Sequence, residues 1–258
     1  MTGAITGDII GSRFEFNNHL STDFELFTSE CNFTDDTVCT IAVADALVKG
    51  VSFRDSLLYW CQRYPNRGYG GSFAAWLQSK NPQPYNSFGN GSAMRVSPCA
   101  WWSHNRKDVL KLAEQSAECT HNHPEGIKGA VCIADCIFHA RIKGVSKGKI
   151  KAIAQEYGYD LDFTCDEIRQ TNTFNETCQV TVPQAIVCFL ESSDFESAIR
   201  LAVSIGGDSD TIAAITGSIA EAFYGIPEQM KIQALRYLPD EFVKVINDFY
   251  NYLNNKKI

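Results

Sequence analysis

Apolar residues recur at helical spacing along most of the chain. Between residues 36 and 48, Val38, Ile41 and Ala42 share one face of a predicted helix, and Gly50 follows its end. The same spacing predicts further helices over residues 109–117, 127–143, 149–157, 182–190, 197–205, 211–224 and 240–253.

Alternation of apolar and polar residues, which is typical of half-buried strands, is scarce in this sequence. No segment repeats with a period of about 20–50 residues, and no low-complexity linker divides the chain. The pattern therefore predicts an all-α fold that packs as one compact domain over residues 1–258. Loops are expected where the helical spacing stops, over residues 13–33, 65–72, 81–92 and 161–180.

The composition is that of a folded, acidic protein, with 45% apolar residues and a formal net charge of -7. The negative charge argues against non-specific binding to nucleic acid or to anionic membranes, although a pocket can still bind a small phosphorylated ligand. No stretch approaches the ~18 consecutive apolar residues of a transmembrane helix, and the first residues do not have the pattern of a secretory signal. The ten cysteines contain no C-x-x-C pair, and several lie in apolar runs, which predicts reduced thiols in a cytoplasmic protein.

Three acidic motifs each lie beside a predicted helix: TDDT at residues 34–37, GGDSDT at residues 206–211 and GDIIGSRFE at residues 7–15. Helix capping is the simplest interpretation, because Thr and Asp accept hydrogen bonds from backbone N–H groups and suit the positive end of the helix dipole. Capping needs only one side chain, however, and each of the first two motifs supplies two carboxylates and a threonine.

Metal binding is the alternative interpretation of these motifs, because hard divalent cations prefer carboxylate and hydroxyl oxygens. Asp208 and Asp210 are two residues apart and can converge on one cation. Asp35 and Asp36 are adjacent, so they point in different directions and suit two neighbouring cations better than one. Four carboxylates in one place repel one another strongly unless cations hold them. The sequence leaves both interpretations open, because it does not show that the motifs meet.

The segment SFGNGSAMRV at residues 87–96 is rich in glycine. Glycines let a ligand approach the backbone, whose N–H groups can bind a diphosphate, but an ordinary turn between helices also explains the segment. Arg95 can neutralise a phosphate or form a structural ion pair. In CTHNH at residues 119–123 the candidate ligands are too close in sequence for a tetrahedral zinc site, so a histidine there lines either a ligand pocket or a surface loop.

Taken together, these motifs resemble those of the ADP-ribosylglycohydrolase family, which includes the dinitrogenase reductase-activating glycohydrolases. The resemblance is carried, in order along almost the whole chain, by GDIIGSRFEF, FTDDT, GNGSAMRV, THNHPEGIKGA and GGDSDTIAAITGSIAEAFYGIP. It implies an all-α orthogonal helical bundle with a dinuclear Mg²⁺ or Mn²⁺ centre in a central cleft.

The resemblance also implies roles for individual residues. Glu15 matches the acidic residue that lies by the metals and the scissile bond. His121 falls in the segment near the nucleotide, with His123 as the alternative contact. The implied metal ligands are Thr34, Asp35, Asp36, Asp208, Asp210 and Thr211, and the implied contacts to the ADP-ribose phosphates are Gly89, Asn90, Gly91, Ser92 and Met94.

The implied activity is hydrolysis of the glycosidic bond between ADP-ribose and a modified target, with two Mg²⁺ or Mn²⁺ ions as cofactors. The transition state of such a cleavage is oxocarbenium-like, and the hypothesis is that Glu15 or Asp36 assists the proton transfer. Two alternatives stay open: a metal-dependent nucleotide phosphohydrolase, and a non-catalytic ADP-ribose-binding protein of the same fold. The sequence does not decide whether ADP-ribose is linked to arginine, serine, a nucleobase or an acetyl ester, nor the oligomeric state.

Overall fold

Helices make up almost all of the regular structure of the protein. The computed structural model describes residues 1–255. Within them the one extended pairing is an isolated antiparallel bridge between Gly89 and Thr177, so the predicted all-α fold is confirmed. A 3₁₀ turn, Ser12–Phe14, follows the first helix. The α-helices are α1 (Thr2–Gly11), α2 (Asp35–Lys49), α3 (Phe53–Arg63), α4 (Gly71–Gln78), α5 (Gly91–Met94), α6 (Ser97–Trp102), α7 (Arg106–Glu118), α8 (Pro124–Ala140), α9 (Lys147–Glu156), α10 (Cys165–Thr171), α11 (Cys178–Glu191), α12 (Phe195–Ser204), α13 (Ser209–Tyr224), α14 (Glu228–Leu235) and α15 (Asp240–Asn255).

Helix α1 is enclosed by the rest of the molecule, and all ten of its residues are buried. Its most extensive contact is with α13, along a stripe formed by Gly3, Gly7 and Gly11. A Cβ atom at Gly7 would lie 2.1 Å from the backbone oxygen of Ala213, far closer than van der Waals contact allows. The two helix backbones therefore touch directly, which requires residues without a side chain along this stripe.

Asp8 joins α1 to the start of α2. Its Oδ2 accepts hydrogen bonds from the backbone N–H of Thr34 at 3.0 Å and of Thr37 at 3.1 Å. Its Oδ1 accepts one from the Thr34 hydroxyl at 2.7 Å, and the Thr37 hydroxyl also donates to Oδ2. A carboxylate from one helix thus satisfies free N–H groups in the first turn of another, where negative charge is favourable.

The other helices enclose this central group. Helices α8, α11 and α12 pack on α13, whereas α3, α6 and α15 pack on α2. The predicted amphipathic helix near the C-terminus is confirmed as α15, which buries Phe242 and Phe249 against the core. The arrangement leaves the first turns of α2 and α13 next to each other.

Several elements differ from those predicted by the hydrophobic pattern. Helix α1 was not predicted, because it is buried on all sides and so has no polar face that reveals a helical period. The prediction of a loop over residues 161–180 was wrong at α10, a short helix that a capping box of Thr164 and Glu167 stabilises. The helix predicted over residues 127–143 ends earlier, at Ala140. The remaining helices that the pattern did not predict are α3, α4, α5, α6 and α14.

All ten cysteines are unpaired, and all but Cys119 are buried, so the prediction of reduced thiols in the core is confirmed. No helix within residues 1–255 is both long enough and apolar enough to cross a membrane.

The first and last helices are in contact. The hydroxyls of Thr2 and Tyr250 lie 3.0 Å apart, and the Tyr250 hydroxyl donates to Oε1 of Glu221 at 2.9 Å. This contact supports the proposal of a single domain over residues 1–258, of which residues 256–258 lie outside the described part of the chain.

We expect Gly7→Ala to lower the free energy of unfolding by at least about 3 kcal/mol, because the added methyl group overlaps backbone atoms that have no room to move. Urea denaturation measures this change. The matched control is Gly148→Ala in α9, where the added Cβ would lie 3.8 Å from the Ser146 hydroxyl oxygen. This control should change stability by no more than about 1 kcal/mol, in the stabilising direction. Equal effects of the two substitutions would contradict the close packing of α1 on α13.

Candidate active site

The first turns of α2 and α13 meet at one side of a cleft. The hydroxyl of Thr211 in α13 donates a hydrogen bond of 3.1 Å to Oδ2 of Asp36 in α2, which lies 175 residues away in sequence. The two acidic motifs therefore meet in the folded protein, which the sequence did not show. Their role in binding cations stays a prediction.

Capping accounts for only part of the two motifs. Thr34 is the N-cap of α2, and its hydroxyl oxygen accepts a hydrogen bond of 3.3 Å from the Asp36 N–H. Asp208 holds the N-cap position of α13, but its side chain caps no backbone N–H. Instead, Oδ2 of Asp208 accepts a hydrogen bond of 2.7 Å from the amide of Asn90. Helix capping therefore does not occupy the carboxylates of the two motifs, which leaves them available to bind a ligand.

The geometry of the carboxylates fits a hard cation. Carboxylate oxygens of Glu15, Asp208 and Asp210 lie within 4.8 Å of one another. Oδ1 of Asp36 and Oδ1 of Asp210 are buried and have no hydrogen-bond partner. Buried anionic oxygens without donors are costly, and a divalent cation with oxygen ligands satisfies several of them at once.

Burial and mutual repulsion make these carboxylates hard to ionise without a counter-charge. Burial, and then the neighbouring carboxylates, raise the pKa values of Asp35, Asp36 and Asp210 well above the usual range. Burial and the charges of nearby aspartates raise the pKa of Glu15 to about 7. Burial also raises the pKa of Asp208, although Asn90 donates to it. A bound cation favours the ionised forms and would oppose all of these shifts.

Two glycines turn the chain into α13. Gly206 and Gly207 have positive φ angles of 69° and 77°, a conformation that favours glycine, so the chain turns sharply at this point. Asn18 holds the turn, because its side chain accepts from the Gly207 N–H at 2.9 Å and donates to the Gly207 carbonyl at 2.9 Å. The turn thereby fixes the direction in which Asp208 and Asp210 enter the site.

The cleft beside the acidic cluster has a volume of about 410 Å³, which is within the size range of small-molecule sites. Two exposed aromatic rings, Phe16 and Phe174, stack at 6.0 Å between centroids on its lining. Gly68 and residues 70–73, in the loop before α4 and its first turn, also contribute to the wall. The predicted site residues that line the cleft are Glu15, Asp35, Asp36, Gly89, Asn90, Gly91, Met94, His121, Asp208, Asp210 and Thr211.

Two predicted site residues do not line the cleft. The Thr34 hydroxyl donates to Asp8, and the fully buried Ser92 hydroxyl donates to the backbone oxygen of Gly126 at 2.7 Å. These contacts attach α2 to α1 and the glycine-rich segment to α8.

Asn90 connects the glycine-rich segment to the acidic cluster. Its backbone N–H donates to the carbonyl of Glu176 at 2.7 Å. Its side-chain amide donates to Thr181 at 3.0 Å and to Asp208 at 2.7 Å. The segment and the carboxylates are therefore two parts of one site.

The two histidines of residues 119–123 have different positions. His121 is buried and lines the cleft, and its Nδ1 lies 2.7 Å from the Thr120 hydroxyl. Nδ1 of His123 accepts a hydrogen bond of 3.1 Å from the Glu125 N–H and so caps α8. Of the two histidines, His121 is the one placed to contact a ligand.

Some residues of the site had no role in the sequence analysis. The importance of Asp8 could have been inferred from the sequence, because it is a charged residue within the apolar run GAITGDIIG. Tyr85, Phe174 and Glu176 line the cleft but lie in predicted loops, where no periodicity marks them. For Arg95 the sequence left two roles open, neutralising a phosphate or forming a structural ion pair. Its side chain is buried and lines the cleft, and no described carboxylate forms an ion pair with it.

Comparison with known proteins identifies the family. The family model described as ADP-ribosylglycohydrolase matches residues 1–257. The chain belongs to the ADP-ribosylglycohydrolase family. The resemblance drawn from the motifs is therefore confirmed, and the protein is an enzyme of the hydrolase class.

Relatives within this family cover most of the chain. The ADP-ribosylhydrolase ARH3 of Mus musculus is 27% identical and aligns with 88% of this chain and 83% of its own length. The ADP-ribosylarginine hydrolase Tri1 of Serratia proteamaculans is 24% identical and aligns with 87% of this chain and 70% of its own length. A solved structure described as an ADP-ribosylglycohydrolase-related protein complex has a TM-score of 0.71 at 24% identity, covering 97% of this chain and 96% of that chain. That structure confirms the fold.

In cation-free buffer we expect Asp210→Asn to be at least as stable as the wild type, because the substitution removes one of several buried like charges. Mg²⁺ at about one hundred times its dissociation constant should stabilise the wild type by about 2.7 kcal/mol and the variant much less. Urea denaturation with EDTA or with Mg²⁺ measures both effects. Asp160→Asn, at an exposed position outside the cleft, is the control and should respond to Mg²⁺ as the wild type does. Equal stabilisation of wild type and Asp210→Asn would exclude Asp210 as a ligand.

Proposed function

We propose that this enzyme hydrolyses the glycosidic bond between ADP-ribose and a modified target, with two Mg²⁺ or Mn²⁺ ions as cofactors. The observation that supports this most is a single cleft in which unpartnered carboxylate oxygens of Asp36 and Asp210 lie beside a glycine-rich segment. The names of the relatives ARH3 and Tri1, an ADP-ribosylhydrolase and an ADP-ribosylarginine hydrolase, support the substrate class.

The proposed cation ligands come from two helix starts. Asp35 and Asp36 are adjacent on α2 and therefore suit two neighbouring ions, which Asp208 and Asp210 approach from the start of α13. Two cations bound there would supply Lewis acidity and a water of lowered pKa. The proposed ligands that line the cleft are Asp35, Asp36, Asp208, Asp210 and Thr211. Thr34, the sixth proposed ligand, does not line the cleft, and its hydroxyl oxygen has one lone pair left for a cation beside its hydrogen bonds with Asp8 and Asp36.

We assign the proton transfer to Glu15 rather than to Asp36. Glu15 is partly exposed at the cleft, whereas Asp36 is buried and accepts a hydrogen bond from Thr211. Bound cations would oppose the rise of the Glu15 pKa to about 7, so Glu15 would be ionised near neutral pH and able to act as the base that accepts a proton. Asp36 then acts as a ligand. Departure of the target leaves positive charge on the ribose, which the surrounding carboxylates stabilise.

The glycine-rich segment and His121 are the proposed contacts of the ADP-ribose phosphates. The N–H of Gly91 has no acceptor among residues 1–255 and can bind a phosphate oxygen. Met94 and Asn90 line the same cleft. Ser92 contributes indirectly, by attaching the segment to α8 through Gly126.

The cysteines and the net charge of the enzyme indicate its compartment and the partners that it excludes. Ten unpaired cysteines suit a reducing compartment, so we place the protein in the cytoplasm. Its partner is ADP-ribose or an ADP-ribosylated target, and the acidic surface opposes non-specific binding to nucleic acid.

A panel of defined substrates tests the proposal: arginine-linked, serine-linked and nucleobase-linked ADP-ribose and the acetyl ester, each with Mg²⁺ or Mn²⁺. We expect release of free ADP-ribose from at least one member of the panel. Asp210→Ala should lower the rate by at least about 100-fold, because even outer-shell partners account for about 10–100-fold in metal sites. Glu15→Gln should lower it by roughly 10²–10⁴-fold, whereas Glu114→Gln, at an exposed position on α7, should leave it unchanged.

Other outcomes point to other functions. Release of phosphate or of AMP instead of free ADP-ribose would identify a nucleotide phosphohydrolase. Binding of ADP-ribose without turnover of any substrate would identify a non-catalytic binding protein. Full turnover in the presence of EDTA would remove the cations from the mechanism.

A further inference from the structure

Three buried side chains form a hydrogen-bonded row that ends in the cleft. Arg95 is 1% exposed, and its Nη2 donates to the Thr120 hydroxyl oxygen at 2.7 Å and to the Ser116 carbonyl at 2.8 Å. The same hydroxyl oxygen lies 2.7 Å from Nδ1 of His121. The row therefore runs from Arg95 through Thr120 to His121.

The proton on each atom of this row follows from the chemistry of its neighbours. A guanidinium has donors but no acceptor, so the Thr120 oxygen accepts from Arg95. The single O–H of Thr120 must then donate, and the two acceptors in reach are Nδ1 of His121 at 2.7 Å and the thiol of Cys119. The imidazole nitrogen is the stronger acceptor, because sulfur accepts hydrogen bonds only weakly. The opposite direction would leave the Thr120 O–H with only the weak thiol acceptor at a position that is 0% exposed. Nδ1 of His121 therefore accepts and carries no proton.

A second effect keeps the imidazole neutral. Burial and the positive charge of Arg95 lower the pKa of His121 well below its usual value. A neutral imidazole without a proton on Nδ1 has it on Nε2. The tautomer is thus determined by contacts within the protein.

The Nε2 atom lies over the glycine-rich segment. It is 3.1 Å from the point where a Cβ of Gly91 would stand and 3.5 Å from the corresponding point at Gly89. No described residue accepts a hydrogen bond from Nε2, and His121 lines the cleft. A side chain at position 91 would crowd the ring, whereas one at position 89 would only be in van der Waals contact with it, so Gly91 makes room for the imidazole.

We propose that Arg95 and Thr120 are positioning residues that lock His121 as a neutral Nε2–H donor toward a phosphate oxygen of a ligand bound over residues 89–91. The identity of the ligand as ADP-ribose rests on the proposed function. The tautomer does not, because it is a property of the protein without ligand.

The first test is the tautomer of His121 in the ¹⁵N-labelled wild-type protein, read from the long-range ¹H–¹⁵N couplings of its ring. The chain has 5 histidines, and the signals that disappear in His121→Asn identify those of His121. We expect a protonated Nε2 and an unprotonated Nδ1, unchanged between about pH 6 and pH 8 because the ring stays neutral. A proton on Nδ1, or titration within this range, would overturn the proposal.

The second test compares Thr120→Val, which lacks the hydroxyl, with Thr120→Ser, which keeps it. Thr120→Val should give a mixture of tautomers and bind ADP-ribose about tenfold more weakly, the equivalent of one lost hydrogen bond. Thr120→Ser should keep the wild-type tautomer and bind within about twofold of the wild type. If folded Thr120→Val keeps the wild-type tautomer and affinity, Thr120 does not position His121.

The two tests separate this inference from the proposed function. A wild-type protein with the expected tautomer but no affinity for ADP-ribose would overturn the proposed function and the ligand named here, and would leave the row of Arg95, Thr120 and His121 established. Should Thr120→Val fail to fold, the wild-type spectrum still decides which tautomer is present, and Thr120→Ala, which also lacks the hydroxyl, decides whether the hydroxyl sets it.

Discussion

Repulsion between buried carboxylates is the constraint on which the rest of this structure depends. Glu15, Asp208 and Asp210 crowd together, and Asp36 joins them from a second helix. The positive ends of two helix dipoles point to the same place, which favours the carboxylates but opposes a cation. Such a concentration of charge persists only where packing holds the helix starts in position, and where counter-charge can be supplied.

Helix α1 supplies that packing. Its glycine stripe brings its backbone against α13, so that a Cβ at Gly11 would lie 2.6 Å from the Cα of Asp210. Its one carboxylate, Asp8, binds the first turn of α2 through Thr34 and Thr37. One buried helix thus determines where both sets of acidic residues stand. The rate and the stability of this protein should therefore depend on residues that never touch substrate.

The cleft has two electrostatically different parts. One part is acidic and suits cations, whereas Arg95 places positive charge in the lining near His121. Asn90 joins the two parts, because its backbone and side chain contact Glu176 and Asp208. A ligand that combines a ribose with a diphosphate matches both parts, since hydroxyl oxygens suit cations and phosphate oxygens suit N–H donors.

The sequence by itself determined the helical class, through the spacing of apolar residues, and the residue types of the site, through motifs such as TDDT and GGDSDT. It did not reveal α1, which has no polar face, nor the choice between His121 and His123, which share one short segment. It also did not show that Thr34 and Ser92 hold the structure rather than line the cleft. Only the tertiary structure decided these points, because local patterns record which face of an element is buried, whereas a site depends on contacts between residues as far apart as Asp36 and Thr211.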